Sequence, residues 1–298
     1  MSDPSRAILI TTLLASLAGC AEDDVTTGAG GASTGAGSTA ASTSASVSTS
    51  ASAATTGASS ASTGTGPGID LDLDGIDDAT EAMLAAAYRP YLSYHGDEAC
   101  SLGGIVYRVH PHPKEPGRIH IVYDHLFETD CGAGGHVGDN EAFGVTIDPA
   151  VPPPAGILSL VAIGHQGTLC EQVSTCGQCA GADACALADL GGTPYPVVFT
   201  SKDKHASYVA EGGCGFTNCF DQCEITSPPA DAPMVNVGEP GAPLVTDLTD
   251  QGFITAVNGW TEMELFHVDP WDTTKDFGGA GNVADDLVDL AFVPPACP

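Results

Sequence analysis

Basic residues are scarce in this chain: 8 Lys and Arg stand against 38 Asp and Glu in 298 residues, a formal net charge of −30. No basic run exceeds the Lys202-Asp203-Lys204 pair, which excludes nucleic acid as a partner. The acidity suits solubility and favours divalent cations. Long apolar runs are missing as well. Ala7 to Leu17, behind Arg6, is the first apolar stretch, and it is too short for a bilayer that needs about 20 residues. Nothing of membrane length follows it. Aromatic and charged residues are wholly absent from Val25 to Gly68. That stretch of Ser, Thr, Ala and Gly cannot bury enough apolar area to offset its ordering entropy, so it reads as a disordered tether. As a flexible coil it spans about 35 Å, and its hydroxyls suit O-glycosylation. Gly31-Ala32-Ser33-Thr34-Gly35 matches the GxSxG nucleophile pattern, but without a strand before it and a helix after it the chemistry has no frame.

The charged start, the apolar stretch and Leu17-Ala18-Gly19-Cys20 make a signal peptide that resembles a bacterial lipoprotein lipobox. The resemblance implies that residues 1–19 are removed and that Cys20 is diacylated. The chain would then be anchored in the cell envelope, at the outer membrane or cell surface of a bacterium, with the lipid as its membrane partner. In an oxidising compartment, cysteines read first as disulfides. Eleven cysteines less Cys20 leave Cys100, Cys131, Cys170, Cys176, Cys179, Cys185, Cys214, Cys219, Cys223 and Cys297, an even number. Cys176-x-x-Cys179 would signal zinc or a redox pair in a cytosolic enzyme, but no second CxxC or His-x3-His accompanies it. The spans Cys170 to Cys185 and Cys214 to Cys223 read as local, bridge-stapled loops.

The remaining chain divides into a calcium loop and helix over residues 69–92 and a Cys-rich domain over 93–298. Ala79 to Tyr88 is rich in helix formers, has acidic residues at its start and stops before Pro90, which predicts a helix. Short β-branched or aromatic runs bounded by Gly, Pro and Asp predict strands at Ile105–Val109, Ile119–Leu126, Phe143–Ile147, Ile157–Ile163, Val197–Thr200 and Phe253–Val257. A mainly β fold follows, a β-sandwich with one N-terminal helix and disulfide-stapled loops.

Asp70-Leu71-Asp72-Leu73-Asp74-Gly75-Ile76-Asp77-Asp78-Ala79-Thr80-Glu81 fits the twelve-residue EF-hand loop at every specified position. Asp70, Asp72 and Asp74 supply oxygens, Gly75 the tight turn, Ile76 a backbone carbonyl, Asp78 the ninth position and Glu81 the bidentate carboxylate. With linker in place of an entering helix, the loop resembles the single calcium loops of dockerin-like and thrombospondin-type repeats, and it implies a structural Ca2+. An acidic turn capping the helix is the alternative.

Phe127-Glu128-Thr129-Asp130 and Gly135-His136-Val137-Gly138-Asp139-Asn140-Glu141 form a second constellation. A strand ending in Asp, a Gly-rich loop, G-H-x-x-D-x-E and another strand resemble the core of the necrosis-inducing (necrosis- and ethylene-inducing peptide-like) proteins and the related vacuolar-sorting-associated domain. Pro196-Val197-Val198-Phe199 leading to Lys204-His205-Ala206-Ser207-Tyr208, and Ile163-Gly164-His165-Gln166-Gly167, resemble the vacuolar-sorting type. The resemblance implies a β-sandwich with a divalent ion held by Asp130, His136, Asp139 and Glu141. Gly138 stands where the necrosis-inducing family has a second His and Asn140 where both families have Trp, so plant-cell toxicity is not inherited. The residues alone agree: Asp139 and Glu141 leave a strand entrance on one face, with the parity of Phe143, Val145 and Ile147. Carboxylates at the rim of an apolar face need a partner, and Ca2+, Mg2+ or Mn2+ suits them better than zinc. A rim hydrogen-bond network without an ion is the alternative.

His165 and His205 both follow apolar strands and are the candidate catalytic bases; each is otherwise a satisfied turn residue. His110 and His112 sit in a Pro-rich loop, and His120 and His125 fall on opposite strand parities. Trp260, Trp271 and Phe266 fit either the core or a sugar-stacking face, with core the better fit for Trp260. Three functions compete: a binding module for a glycan or lipid head group, a metal-dependent hydrolase with His165 or His205 as base, and a passive coat protein. With no nucleophile motif, binding is favoured. Because the lipid is the expected anchor, Cys20→Ser should move the chain from the membrane fraction to the soluble fraction. Fractionation with immunodetection checks this, and a variant still in the membrane would refute lipidation as the anchor.

Overall fold

The computed structural model describes residues 68–132, 135, 137–165, 168–178, 182–214, 219–226 and 232–240, with Leu248, Asp250, Val283 and Leu287. Expectations on Cys20, His136, Cys179, Cys297, Trp260, Phe266, Trp271, the strand at Phe253–Val257 and the tether lie outside those residues. No helix among them is long and apolar enough to cross a membrane.

The chain starts with the acidic loop and helix α1 (Asp78–Ala87). Asp77 caps the helix, its carboxylate accepting from Thr80 N and Thr80 Oγ1. Strand β1 (Tyr91–Tyr94) follows, then β2 (Leu102–Pro111), β3 (Ile119–Thr129), β4 (Val137–Ile147), β5 (Ile157–Gly164), β6 (Gln172–Gly177), β7 (Leu187–Leu190), β8 (Thr193–Thr200), β9 (Ser207–Tyr208) and β10 (Met234–Asn236). A large sheet runs in the order β10-β2-β3-β4-β5-β6; a small one runs β1-β8-β7, with β9 also on β8. The pairings β2 to β6 are antiparallel hairpins, whereas β1 joins β8 and β10 joins β2 in parallel.

The main core lies between the sheets. Ile121, Tyr123, Phe127, Phe143, Val145, Ile147, Leu160 and Ala162 of the large sheet meet Leu92, Tyr94 and Val198 of the small one. Helix α1 belongs to this core through Leu84, Ala85 and the adjoining Tyr88. Tyr123 Oη donates to Ala85 O at 2.8 Å, satisfying a carbonyl of the last turn. Alternation along the strands sends Val122, Ala142, Val161 and Ile163 to the opposite face, where Val283 and Leu287 cover them. All of β5 is buried, which is why its sequence is a continuous apolar run. Gly144 is required by the cover: a Cβ there would meet Val283 Cγ1 at 2.7 Å and Leu287 Cδ1 at 2.9 Å.

Four disulfides join described cysteines: Cys100–Cys131, Cys170–Cys219, Cys176–Cys185 and Cys214–Cys223. Cys214 to Cys223 is the local loop expected. In the other span, Cys176 closes on Cys185 while Cys170 leaves it for Cys219, tying the loop after β5 to the one after β9. Cys176 is thereby excluded as a metal ligand.

His120 and His125 face opposite sides, as their parity predicts. His120 stacks edge-on against His112, with ring centroids 4.1 Å apart, and His125 bonds Tyr94 Oη at 2.8 Å. Burial, then the charges of His112 and His110, push the His120 pKa down to about 2. Burial, then His205 and Arg89, push His125 down to about 3. Both stay neutral in the fold while the unfolded chain protonates near pH 6.5. Stability held above that pH is therefore lost as pH falls toward these depressed values. His120→Leu should remove one share of the loss. Between pH 7 and pH 5 the variant should lose about 2 kcal/mol less than the parent, measured by urea unfolding with disulfides intact; equal losses would show that His120 is not held neutral.

Candidate functional site

Asp139 and Glu141 lie at the entrance of β4, opposite Phe127 and His125 of β3, and both are buried. Their alternation with Phe143 and Val145 sends all four to the inner face, as the spacing predicts. Asp130 follows the end of β3 and accepts from Gly132 N at 2.6 Å. Gly135 is sterically fixed here, since a Cβ would fall 2.0 Å from Asp130 O. Gly135 N donates to Gly132 O at 3.1 Å, so these two glycines pack closely beside Asp130.

His205 reaches this rim from the turn between β8 and β9. Its Nδ1 lies 2.5 Å from Asp139 Oδ2 and its Nε2 3.3 Å from Glu98 Oε1. The ring stacks flat on Phe127 with centroids 3.6 Å apart. Burial alone would lower the His205 pKa, but bonding to Asp139 and Glu98 outweighs it and raises it to about 9. Glu98 shows the complement: burial would raise it, yet His205 and the N–H groups of Cys100 and Asp203 hold it down at about 2. A ring with its pKa raised in this way favours the imidazolium at neutral pH, which can donate to both carboxylates.

His165 belongs to an adjoining network. Its Nε2 lies 2.7 Å from Asp221 Oδ2, which also accepts from Tyr208 Oη at 2.6 Å; Lys204 Nζ stands 3.8 Å from Asp221 Oδ1. His165 and His205 therefore do not converge on one atom. Glu141 sits between the networks: burial first, then Asp139, Asp124, Asp221 and Asp130, push its carboxyl well above the usual range. Among the described residues, no three-ligand group with donor atoms within 4.8 Å of one another includes Asp130, Asp139 or Glu141. Glu98, Cys100 and His205 do form one, but the disulfide removes Cys100. Asn140, at the position where the resembled families have Trp, lies on the other face and donates to Asp124 Oδ2 at 3.3 Å.

Beside these networks opens a cavity of about 420 Å3, lined by Gly132, Lys202, Asp203, Lys204, Cys219, Phe220 and Gln222. Phe220 is 65% exposed. Lys204 Nζ donates to Cys219 O at 2.5 Å, binding the wall to the turn that carries His205. Backbone strain gathers here: His165, Asp203, His205, Cys219 and Phe220 all have φ between 54° and 65°, a region costly for residues with a Cβ. Glu98, Asp221 and Phe220 carried no sequence signal, while Tyr208 entered only as the end of the Lys204–Tyr208 motif. Asp221 and Phe220 sit in a Cys-rich loop whose closure to Cys170 only the structure reveals.

The acidic loop lies apart from the rim. Asp70, Asp72 and Asp74 bring ligand atoms within 4.8 Å of one another, and so do Asp72, Glu81 and Glu239. Asp70 Oδ2 accepts from Gly75 N at 3.1 Å and Asp74 Oδ1 from Ile76 N at 2.8 Å. Asp78 turns away, accepting from Leu71 N at 3.1 Å. Burial, with Glu239 next, raises the Glu81 pKa to about 9.

No protein-family model matches the chain, nor does any curated protein sequence. Among solved structures, NLPPya in complex with mannosamine is similar at 17% identity, over 69% of this chain and 88% of that one, with a TM-score of 0.34. NLPPya in complex with glucosamine gives 16%, the same coverage and 0.33. A structure described as a toxin fold for microbial attack and plant defense gives 15%, 52% and 72% coverage, and 0.27. Overlaps this low transfer no residue role or ligand.

Removing His205 leaves Asp139 and Glu98 without their shared cation. His205→Ala should cost about 3 kcal/mol of stability, read by urea unfolding with disulfides intact. A loss below about 1 kcal/mol would place the ring outside the ion-paired state.

Proposed function

We propose that this chain is a lipid-anchored, exported binding module that engages a glycan or lipid head group at the rim of its β-sandwich. The observation that carries the reading is the cavity beside Asp139 and His205. Its 420 Å3 falls in the range of small-ligand sites. An exposed aromatic face at Phe220 suits the apolar side of a sugar ring. Lys202 and Lys204, two of only 8 basic residues, suit phosphate or hydroxyl oxygens. Asp203 and Gln222 add hydrogen-bonding partners for hydroxyls. A glycosylated phosphate head group uses every part of that lining, whereas a passive coat protein has no need of it.

Asp130, Asp139 and Glu141, with His136 as a minority ligand, are the residues that would hold a divalent ion. Among the described residues, the oxygens of Asp130, Asp139 and Glu141 do not all lie within 4.8 Å of one another, but Glu141 is buried among carboxylates, a repulsion that a hard cation would relieve. Ca2+, Mg2+ or Mn2+, when bound, would supply positive charge next to the cavity.

One observation favours the hydrolase reading, the 2.7 Å His165–Asp221 pair, which has the geometry of a base and its orienting carboxylate. His205 is instead bonded through both ring nitrogens to Asp139 and Glu98. The test uses the full chain with Cys20→Ser, offered to a glycan array, to glucosamine and mannosamine, and to vesicles with and without a glycosylated phospholipid. Phe220→Ser and Lys202→Glu should each weaken retention about 10-fold or more with folding intact, and Asp139→Asn should lower metal content. Retention indifferent to both cavity variants would remove the cavity as the site. Turnover of phosphoester, glycoside or ester substrates that His165→Ala cuts about 100-fold would replace binding with hydrolysis.

A further inference from the structure

Two carboxylate groups meet at the start of the folded domain, and Asp72 belongs to both: one with Asp70 and Asp74, the other with Glu81 and Glu239. Four of these residues come from the twelve-residue loop. The fifth comes from the segment after β10, more than 150 residues away, and no loop pattern includes it. Its placement is built into the sheet. Asn236 pairs with Tyr107 of β2, and Val237 N donates to Tyr107 O at 2.9 Å. Gly238 lies so close to Arg108 that a Cβ would stand 2.5 Å from Arg108 Cγ. Asn236 Nδ2 donates to Glu81 Oε2 at 2.7 Å and to Glu239 Oε1 at 3.2 Å, setting the two carboxylates side by side.

The remaining oxygens point to a ligand. Glu81 is 1% exposed, and its Oε1 is buried without a hydrogen bond, as are Asp70 Oδ1, Asp74 Oδ2 and Glu239 Oε2. Buried carboxylate oxygens left in that condition carry a large desolvation cost. Among the described residues, Arg108 stands with Nη2 3.9 Å from Asp72 Oδ2. The donors are all oxygen, from five carboxylates and the Ile76 carbonyl that the loop pattern assigns. That count suits a calcium shell of six to eight oxygens and exceeds what a magnesium ion with its retained waters takes.

We propose that Asp70, Asp72, Asp74, Glu81 and Glu239 form one calcium site that fastens the tether end of the domain to the segment after β10. Calcium enters as a clamp. It draws the loop before α1 and the strand-end segment against β2, closing the domain where the chain leaves its tether.

The test is calcium titration calorimetry on the full chain with Cys20→Ser, with amide hydrogen exchange in calcium and in chelator. Asp139→Asn is added to every protein so that rim ions do not contribute. Calcium should slow exchange in both 69–81 and 234–239. Glu239→Gln, which keeps shape and the Asn236 contact, should weaken calcium about 10-fold or more and remove the protection at 234–239; Asp74→Ala should abolish binding. Glu239→Asp, which retains charge on a shorter arm, should fall between. Calcium affinity equal in parent and Glu239→Gln would overturn the role of Glu239. Protection confined to 69–81 would overturn the clamp. No calcium binding at all, with Glu239→Gln more stable than the parent, would mean that Glu81 and Glu239 share a proton instead of an ion. Because every protein carries Asp139→Asn, none of these outcomes bears on ligand binding at the rim.

Discussion

His205 is the point on which the rim depends. One imidazolium joins Asp139 at the entrance of β4 to Glu98 beyond β1, and stacks on Phe127 of β3. Ions buried this deeply are costly unless every charge is matched and hydrogen-bonded. Here the matching is shared: Glu98 also accepts from Cys100 N at 3.0 Å and Asp203 N at 2.9 Å, and Cys131 N donates to Asp203 O at 2.8 Å. The ring thus orders the ends of both sheets and the loops of the Cys100–Cys131 bridge. Its left-handed backbone is tolerated because contacts on every side determine it.

A chain at −30 has few cations to spare, and the fold places them sparingly. Asp139 and Asp221 each receive a protein cation or hydroxyl; Glu141, between them, receives like charge from four carboxylates. The loop before α1 repeats the pattern around Asp72. Coulomb repulsion among buried carboxylates is costly in a low-dielectric site, so a bound proton or a metal ion would relieve it at either place. Divalent cations, as proposed for both clusters, would take there the structural role that lysine and arginine fill in more balanced proteins.

Legibility from sequence followed locality. The longer strands were readable because β-branched runs such as Ile157–Ile163 are buried on both faces, and Ala79–Tyr88 is a helix within one residue at each end. Strands β6, β7 and β10 were not: they are short, and β7 is mostly exposed, so hydrophobic alternation never imprinted on them. Asp139 and Glu141 were readable as a same-face pair, since that parity is a property of one strand. Their partner was not, because the His205–Asp139 bond spans 66 residues and nothing near either residue encodes it. Glu98, Asp221 and Glu239 share that fate. Each lies in an irregular segment where its position is set by a disulfide or by pairing to a distant strand.

The disulfides explain how so polar a rim stays ordered. Hydrophobic cores fix strands, but the loops around the cavity carry Lys, Asp, Gln and Gly and have little apolar surface to bury. Cys100–Cys131, Cys170–Cys219 and Cys214–Cys223 all fasten loops on this side of the molecule, and the Cys170–Cys219 bridge carries Phe220 at its end. Closing loops covalently lowers the entropy lost on folding without demanding apolar contacts. It leaves the side chains of Lys202, Asp203 and Gln222 directed to the cavity instead of committed to packing. The Cys170–Cys219 and Cys214–Cys223 bridges flank Phe220 and Asp221, so the covalent closure, and not apolar packing, holds these residues near His165 and Lys204.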